Sequence, residues 1–403
     1  MNKLILSLKN MVQIPDFKQF MVTIFFLGVT ASVYGPYISI FGLQEMQMTP
    51  ALFSLYYSLS TIFGIVLNLA LGRLSDVVRS RKLIIFAVLL SGAVGYAILA
   101  FSRNYSVVLI SSCLFVALSN AAFPQLFAFA KETLGHDSQE TNTSVIGTLR
   151  SFYSIGWVIG PLLGSLVFLY YGFTWLYLFV AVLFLMLMVI LKSGKLHEND
   201  NKARPKKKAV VMSRKIFLSV VSFIFIFTAS GISMISLPLL ITEELHISKA
   251  YIGVLYSAAS FTEIPCMMFF GYVAGKVNKS RLVAAGIAAA LLYYFGMMLA
   301  SQMWQLFCLQ ILSGIAISLI MGLGISYFQD LISDQPGTTT ALYTTTNRLG
   351  SVTAGFLTGY LYQWYNYRVT FLVCGIMAIC SLVFLFISNI NSAALKQNES
   401  NSM

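Results

Sequence analysis

Three charged side chains inside long apolar stretches have the clearest potential for chemistry. Glu263 lies within SFTEIPCMMFFGY (260–272), and Arg150 and Arg348 lie in two other apolar stretches. An ionised carboxylate that faces lipid costs at least ~2.5 kcal/mol on insertion scales, so we expect Glu263 to face protein or a cavity. A carboxyl group in that setting can take up and release a proton. A structural ion pair or a fixed hydrogen bond to a neighbouring helix is the alternative role.

The positions of these residues along their helices refine the expectation. Glu263 shares a helical face with Cys266, whereas Phe261 lies on another face. Arg150 and Arg348 lie within about three turns of the predicted cytoplasmic ends of their helices, from which an arginine can reach the membrane surface. Their matched placement favours a gating or structural role, with substrate contact as the alternative.

The elements that position these residues are membrane helices. Of the residues, 58% are hydrophobic and 10% are charged, against roughly 45–50% hydrophobic in soluble domains. Apolar stretches near the ~20 residues that cross a membrane recur along the chain. The first apolar stretch is too long for a cleavable signal and lacks a clear cleavage site, so we expect it to stay as an anchor. We predict an all-α integral membrane protein with twelve spans: 17–43, 51–71, 83–101, 106–131, 142–170, 174–192, 214–242, 249–275, 281–300, 304–332, 338–364 and 367–390.

Sequence motifs give little support to catalysis. The five cysteines fall inside predicted spans at spacings that suit neither disulfides nor zinc. The three histidines lie in predicted loops, and the phosphate-binding, zinc-protease and serine-hydrolase motifs are absent from the sequence. We therefore expect no catalytic residue, no metal and no cofactor, and a process driven by an ion gradient or by the substrate's own gradient. An intramembrane enzyme or a receptor is a remote alternative.

The net charge of +12 comes from basic residues whose positions indicate the topology of the chain in the membrane. Dense basic segments at 73–82, 192–215 and 276–281 follow the second, sixth and eighth predicted spans. The positive-inside pattern places them and both termini in the cytoplasm, with the chain in the cytoplasmic membrane. We expect lipid around the chain and no nucleic-acid partner.

The two halves of the chain repeat each other. GRLSDVVRSRK (72–82) and GYVAGKVNKSR (271–281) each close a second helix of six, and Arg150 and Arg348 fall in the fifth. We predict an N-terminal six-helix bundle (1–192), a basic linker (193–213) and a C-terminal bundle (214–403). Parallel repeats of this kind place a site near the membrane midplane between the bundles.

The chain resembles the major facilitator superfamily over essentially its whole length. Segment 72–82 is similar to the superfamily loop G-x-L-x-D-R-x-G-R-R/K, although Val77 and Arg79 depart from it. In the second copy, Gly275 replaces the aspartate. The resemblance implies a loop that latches one conformation of a transport cycle through ion pairs. Its gating or structural candidates are Gly72, Asp76, Arg79, Arg81 and Glu132, to which Gln329 and Asp330 near a predicted cytoplasmic end are added.

A glycine-rich motif in the fifth span has two interpretations. SIGWVIGPLLGSL (154–166) contains Gly156, Gly160 and Gly164, with Pro161 after the middle glycine. Glycines at this spacing allow another helix to pack closely, and proline removes one backbone hydrogen bond. In a facilitator-type protein the motif is also similar to a signature of antiporters, which implies export.

Further segments resemble the bacterial sugar efflux transporters. They are NAAFPQLFAFAKE (120–132), WVIGPLL (157–163), YYGFT (170–174), EIP (263–265), GISYFQDL (324–331) and TTTALYT (338–344). The resemblance implies export of small glycosides, disaccharides or oligosaccharides by proton exchange, by a protein that we expect to be a monomer. A multidrug–proton antiporter is the second candidate, although the first helix lacks the acid that would favour cationic drugs. Sodium coupling also stays open.

Sugar recognition needs hydrogen-bonding side chains and aromatic faces in a cavity. The residues of these types predicted near the middle of spans are Tyr34, Tyr37, Asn120, Gln125, Trp157, Tyr256, Tyr293 and Asn347. Each can instead pack or bridge helices. Glu263 is the candidate proton-coupling residue.

Overall fold

The computed structural model describes residues 16–77, 80–134, 139–193, 212–332 and 336–401. Within these ranges, the side chains of residues 73, 75–77, 139–144, 336–338 and 390–401 are not described. The described residues form helices joined by short turns, with no strand among them. The predicted all-α class is confirmed.

Twelve helices correspond to the predicted spans. We label them α1 Phe17–Glu45, α2 Pro50–Val77, α3 Arg81–Phe101, α4 Tyr105–Leu134, α5 139–171, α6 173–193, α7 Arg214–Glu244, α8 Ala250–Val273, α9 Lys279–Leu299, α10 Met303–Leu331, α11 Pro336–Trp364 and α12 Tyr367–Asn401. Helices α5 and α6 run on from each other within Gln139–Ser193 and are separated at Gly172, where φ is 75°. That left-handed conformation strains any residue with a Cβ, which explains the glycine of YYGFT.

Ten segments of the described chain are long and apolar enough to cross a membrane. One of them, Val145–Ser193, contains both α5 and α6. Helix α11 is not among the ten, because the eight threonines between 338 and 358 make it less apolar. With α11 and the divided segment included, the helices agree with the twelve that the sequence predicts.

The helices repeat with a constant offset. Helix α9 spans Lys279–Leu299 and α3 spans Arg81–Phe101, so both ends are shifted by 198 residues. Arg150 and Arg348 differ by the same 198 positions. Helices α1 and α7 each end in a π-helical turn, Phe41–Glu45 and Leu240–Glu244. The repeat seen in sequence is therefore also a repeat of helix boundaries and irregular turns.

The described residues divide into two compact units. The first comprises those of Met1–Phe41, Leu59–Arg204 and Ala250–Ser257, and the second those of Gly42–Ser58, Pro205–Lys249 and Ala258–Met403. Each unit thus includes the first turns of one helix from the other half of the chain: α8 in the first unit and α2 in the second. The predicted division at 193–213 stays a prediction, since residues 194–211 lie outside the described ranges.

Both units have cores of aromatic rings and buried hydroxyl groups. In the first, Tyr96 stacks on Phe184 at 5.7 Å between centroids, and Ser91 Oγ donates to the Phe115 carbonyl oxygen (2.9 Å). In the second, Phe223 stacks on Tyr327 at 5.8 Å, and several hydroxyls bond between helices. Ser219 on α7 bonds to Tyr327 (2.9 Å) and to Ser388 (3.0 Å). Because these buried hydroxyls are paired, they fix the arrangement of the helices without a desolvation penalty.

Candidate functional site

The glycine motif of α5 forms a close crossing with α1. A Cβ at Gly156 would lie 2.6 Å from the Phe25 carbonyl oxygen, and one at Gly160 would lie 2.9 Å from the Val29 oxygen. A Cβ at Gly164 would collide with the Val33 oxygen. The three glycines therefore bring the two backbones into contact, as the packing interpretation predicts. This contact carries no information on the direction of transport.

In the first unit, the side of α5 that carries Pro161 and Ser165 packs against the start of α8. Ser165 Oγ donates to the Ala250 carbonyl oxygen (2.8 Å), and a Cβ at Gly253 would collide with the Pro161 oxygen. Residue numbers rise along α8 as they fall along α5, so the helices run antiparallel here. Pro161 thus contributes its carbonyl group to a second close crossing.

The second unit contains a matching crossing between α11 and the start of α2. Ser54 Oγ donates to the Gly355 oxygen (2.8 Å), and a Cβ at Gly359 would lie 2.6 Å from the Pro50 oxygen. Gly359 follows Pro161 by the repeat offset of 198 residues. Each unit therefore has one close crossing of small residues. In the first unit α5 meets the first turns of α8, and in the second unit α11 meets the first turns of α2.

Buried polar atoms without hydrogen-bond partners surround the crossing of α5 and α8. Among the described residues, Tyr37 Oη, Ser257 Oγ and Trp157 Nε1 are buried and have no partner in good hydrogen-bond geometry. The Tyr37 hydroxyl nevertheless lies beside Ser165 and the Gly253 backbone, and the Trp157 indole lies beside the Tyr153 hydroxyl. Trp157 precedes Pro161 by one turn, and Ser257 follows Gly253 by one turn, so the antiparallel helices place both at one level. Unpaired buried polar groups are costly, and a bound ligand or water can satisfy them.

The other predicted contacts of the first unit lie at different places. Tyr34 packs on Tyr96, with ring centroids 4.8 Å apart. Asn120 is exposed and lies beside Gly64 of α2. Tyr256 is half-buried on α8, next to Ser257. The structure thus places Tyr37 and Trp157 at one crossing, with Tyr256 on the same helix as Ser257 and with Tyr34 and Asn120 elsewhere in the same unit.

Gln125 is held by an arginine. Arg81 at the start of α3 donates two hydrogen bonds to the Glu132 carboxylate (2.7 and 2.9 Å) and one to Gln125 Oε1 (2.9 Å). Arg81 is 9% exposed. Gln125, predicted as a substrate contact, here completes a bidentate ion pair at a helix end. Two of the candidates for ion pairs at helix ends, Arg81 and Glu132, are therefore paired with each other.

A matching ion pair joins α9 and α10 in the second unit. Lys279 Nζ lies 2.7 Å from Asp330 Oδ1, and both residues follow Arg81 and Glu132 by 198 positions. This pair is more exposed than the first. Sequence reasoning selected Asp330 but missed Lys279, which the offset of Arg150 and Arg348 would have revealed.

Three further gating candidates can be placed only in part. Arg79 lies outside the described residues, and only the backbone of Asp76 is described. A Cβ at Gly72 would meet nothing within 4 Å, so no close packing requires this glycine. Gln329 is half-buried near the end of α10.

Glu263 lies in the middle of α8, in the second unit. Its backbone packs on Gly314 of α10, where a Cβ would lie 3.1 Å from the Glu263 nitrogen. Glu263 is half-buried, whereas Phe261 is 69% exposed and Met268 61% exposed on the opposite side of the helix. The carboxylate is therefore on the protein side of α8, as expected from the cost of facing lipid.

The remaining candidates of the second unit lie on α9 and α11. Tyr293 Oη accepts a hydrogen bond from Ser233 (3.3 Å) and lies beside the 2% exposed Gln310. Gln310 Nε2 has no hydrogen-bond partner among the described residues. Tyr293 is thus part of the polar core. Asn347 and Arg348 are half-buried on α11.

No group of three or more His, Cys, Asp or Glu among the described residues can hold a metal ion. Ser257 and Gln310, both unpaired and buried, were not selected from sequence. A serine or glutamine in an apolar helix gives no signal until its neighbours are known.

Comparisons with known proteins agree with the fold. The nucleoside transporter NupG has a crystal structure similar to this chain, with a TM-score of 0.75 at 13% identity over 92% of this chain and 99% of that one. The family model for the Major Facilitator Superfamily matches residues 20–229 and 218–402. The helices, their repeat and this match define a transporter of that superfamily, a class of transporters rather than enzymes.

Individual relatives show which family within the superfamily the chain resembles. Sugar efflux transporter A of Dickeya chrysanthemi is 32% identical over 368 residues, which are 90% of this chain and 93% of that protein. Sugar efflux transporter A of Escherichia coli is 31% identical over 376 residues, 92% and 94% of the two chains. The chain belongs to the sugar efflux transporter family of the Major Facilitator Superfamily. The predicted family is confirmed.

Proposed function

We propose that the protein exports sugars, as small glycosides, disaccharides or oligosaccharides, across the cytoplasmic membrane in exchange for protons. The observation that carries this proposal is the cluster of Trp157, Tyr37 and Ser257, whose buried polar atoms have no partner in good hydrogen-bond geometry among the described residues. A sugar has hydroxyls that both donate and accept hydrogen bonds and an apolar ring face that packs on an indole. The printed names of the relatives point to the same substrate class.

Proton coupling is assigned to Glu263. It is the carboxylate in the middle of a membrane helix, and its neighbours place it on the protein side of α8. A carboxyl group there is neutral when protonated and charged when not, so Glu263 can take up a proton and release it again. One carboxylate suits a proton better than a sodium ion, which needs several oxygen ligands.

Alternating access is assigned to the two crossings of small residues. By the predicted topology, the α5–α8 and α2–α11 crossings lie on the extracellular side, while the Arg81–Glu132 and Lys279–Asp330 pairs and both termini lie on the cytoplasmic side. Each crossing is closed by small residues and serine hydrogen bonds, so no large side chain has to repack when the helices separate. Separation and closure of these two contacts is the movement that we assign to alternating access.

A multidrug–proton antiporter remains the second candidate. Three charged residues lie within the spans away from the helix-end ion pairs: Arg150, which is exposed, and Arg348 and Glu263, which are half-buried. Their charges sum to at least +1 at neutral pH. A net positive charge repels cationic drugs and accepts polar neutral or acidic solutes. The charge balance therefore favours sugars.

Accumulation by intact cells tests the function. We expect cells that produce the chain to retain less of a labelled disaccharide than cells that produce Trp157→Ala, with equal retention of a cationic dye. Loss of dye without loss of sugar would replace the proposal with the multidrug function. Equal retention of both compounds would contradict either kind of export.

Trp157 is expected to carry much of the sugar affinity. Substitution with alanine removes both the ring and the indole N–H, so the affinity for disaccharides should fall roughly tenfold or more. Trp157→Phe keeps an aromatic face and should retain part of the affinity. Titration calorimetry on the purified variants measures the disaccharide affinity of Trp157→Ala and of Trp157→Phe. Unchanged affinity in the alanine variant would remove Trp157 from the site.

Gly359→Leu is expected to prevent closure of the α2–α11 crossing. A Cβ there meets the Pro50 carbonyl, a backbone group that cannot move aside. Transport should fall at least about tenfold while the protein stays folded, because the arrangement with an open crossing has space for the side chain. Gly271→Leu is the matched control, since its Cβ would meet nothing within 4 Å. Normal transport by Gly359→Leu would show that closure is not required.

A further inference from the structure

Arg348 has no acidic partner among the described residues, unlike Lys279 and Arg368 of the same unit. It lies twelve residues into α11, or about 18 Å along the helix axis, and is half-buried. Among the described residues its guanidinium donates no hydrogen bond and joins no ion pair. By contrast, Lys279 is paired with Asp330, and Arg368 lies 2.9 Å from Glu244. A partly buried cation without an acceptor is expensive, so an acceptor from outside the protein would stabilise it.

The surroundings of Arg348 on α11 form a polar, open stripe. Ala341 and Thr344 lie on its helical face and are exposed. On the same face further along, Gly355 and Gly359 are closed against α2. The stripe is therefore open from the start of α11 as far as Arg348 and covered beyond it.

The lipid-facing side of α11 lies elsewhere. Leu349, Phe356 and Tyr360 share one face and are 45%, 49% and 61% exposed. That face is apolar, whereas the stripe with Thr344 and Arg348 is polar. The guanidinium thus lies on a different side of α11 from its exposed apolar residues, as expected for a charge that avoids lipid.

The chemistry of the guanidinium specifies the ligand class. Its planar fork donates two parallel hydrogen bonds to a carboxylate, with higher affinity than to neutral oxygens. We propose that Arg348 contacts the exported substrate and selects sugars that carry a carboxylate over their neutral counterparts. This inference rests on the proposed function.

Two glycosides that differ at one carbon test the selection. Phenyl glucuronide carries a carboxylate where phenyl glucoside carries a hydroxymethyl group. We expect the purified full chain to bind the glucuronide roughly tenfold more tightly by titration calorimetry. In Arg348→Gln the ratio of the two affinities should fall to about one. Arg348→Lys should keep part of it, because the charge persists without the fork.

The control is Lys279→Gln, which removes a cation from the same unit at a helix end and should keep the wild-type ratio. A general structural defect would weaken both ligands and leave the ratio unchanged, so the ratio separates contact from folding. Equal wild-type affinities for the two glycosides would overturn the inference, as would a preserved ratio in Arg348→Gln. A wild type that binds neither glycoside would overturn the proposed function itself.

Discussion

Glu263→Gln is expected to uncouple sugar movement from the proton gradient. For exchange of one proton per sugar, a pH difference of one unit sustains a sugar concentration ratio of about ten, since 1.4 kcal/mol corresponds to a factor of ten. Glutamine keeps the shape of the side chain but cannot release a proton. In liposomes, the steady-state ratio for the variant should therefore fall from about ten to about one, while exchange of labelled for unlabelled sugar continues.

Two further variants serve as controls for this result. Glu263→Asp keeps a carboxyl group and should retain gradient-driven accumulation. Glu244→Gln removes a carboxylate of the same unit, which is paired with Arg368, and should accumulate sugar as the wild type does. If Glu263→Gln accumulated sugar to the wild-type ratio, the coupling group would lie elsewhere and Glu263 would be structural.

Gly156→Leu is expected to have the largest effect on stability. A Cβ at this position would lie 2.6 Å from the Phe25 oxygen and 2.6 Å from the Val29 nitrogen. Both are backbone atoms of α1, so the helices must separate to admit any side chain. We expect a loss of about 3 kcal/mol or more, with a sharp fall in the yield of folded protein.

Thermal unfolding of the detergent-purified protein measures this effect, and Gly147 provides the control. Gly147 lies on the same helix, and a Cβ there would meet nothing within 4 Å. Gly147→Ala should keep or slightly raise the unfolding temperature, because alanine favours a helix more than glycine does. A Gly156→Leu protein that unfolds at the wild-type temperature would contradict the close crossing.

The fold was accessible from sequence because the membrane allows few solutions. Apolar length predicts a spanning helix, and basic residues predict its orientation. Both signals are local, so the twelve helices followed without knowledge of contacts. The threonine-rich α11 was also among the twelve predicted spans, as 338–364, although it is less apolar than its neighbours.

The site was accessible only in part, since its members depend on packing between distant segments. Glu263 and Trp157 stand out because their side chains are unusual in apolar helices. Ser257 does not, because a serine becomes notable only when its hydroxyl is buried without a partner. Gln125 shows the opposite difficulty: its position predicts a substrate contact, but Arg81 lies close enough to bind it. Which polar neighbour a side chain contacts depends on distances of a few ångströms between helices, and the sequence does not give those distances.

The most direct test of sugar–proton exchange is the movement of protons caused by sugar itself. Wild-type protein would be reconstituted in sodium-free liposomes that contain a pH-sensitive dye and have no initial pH gradient. Adding a disaccharide outside should make the interior more alkaline, because each sugar that enters sends a proton out, and Glu263→Gln should abolish the change. Sugar entry without a pH change would contradict exchange with protons, and the absence of sugar entry would contradict sugar transport.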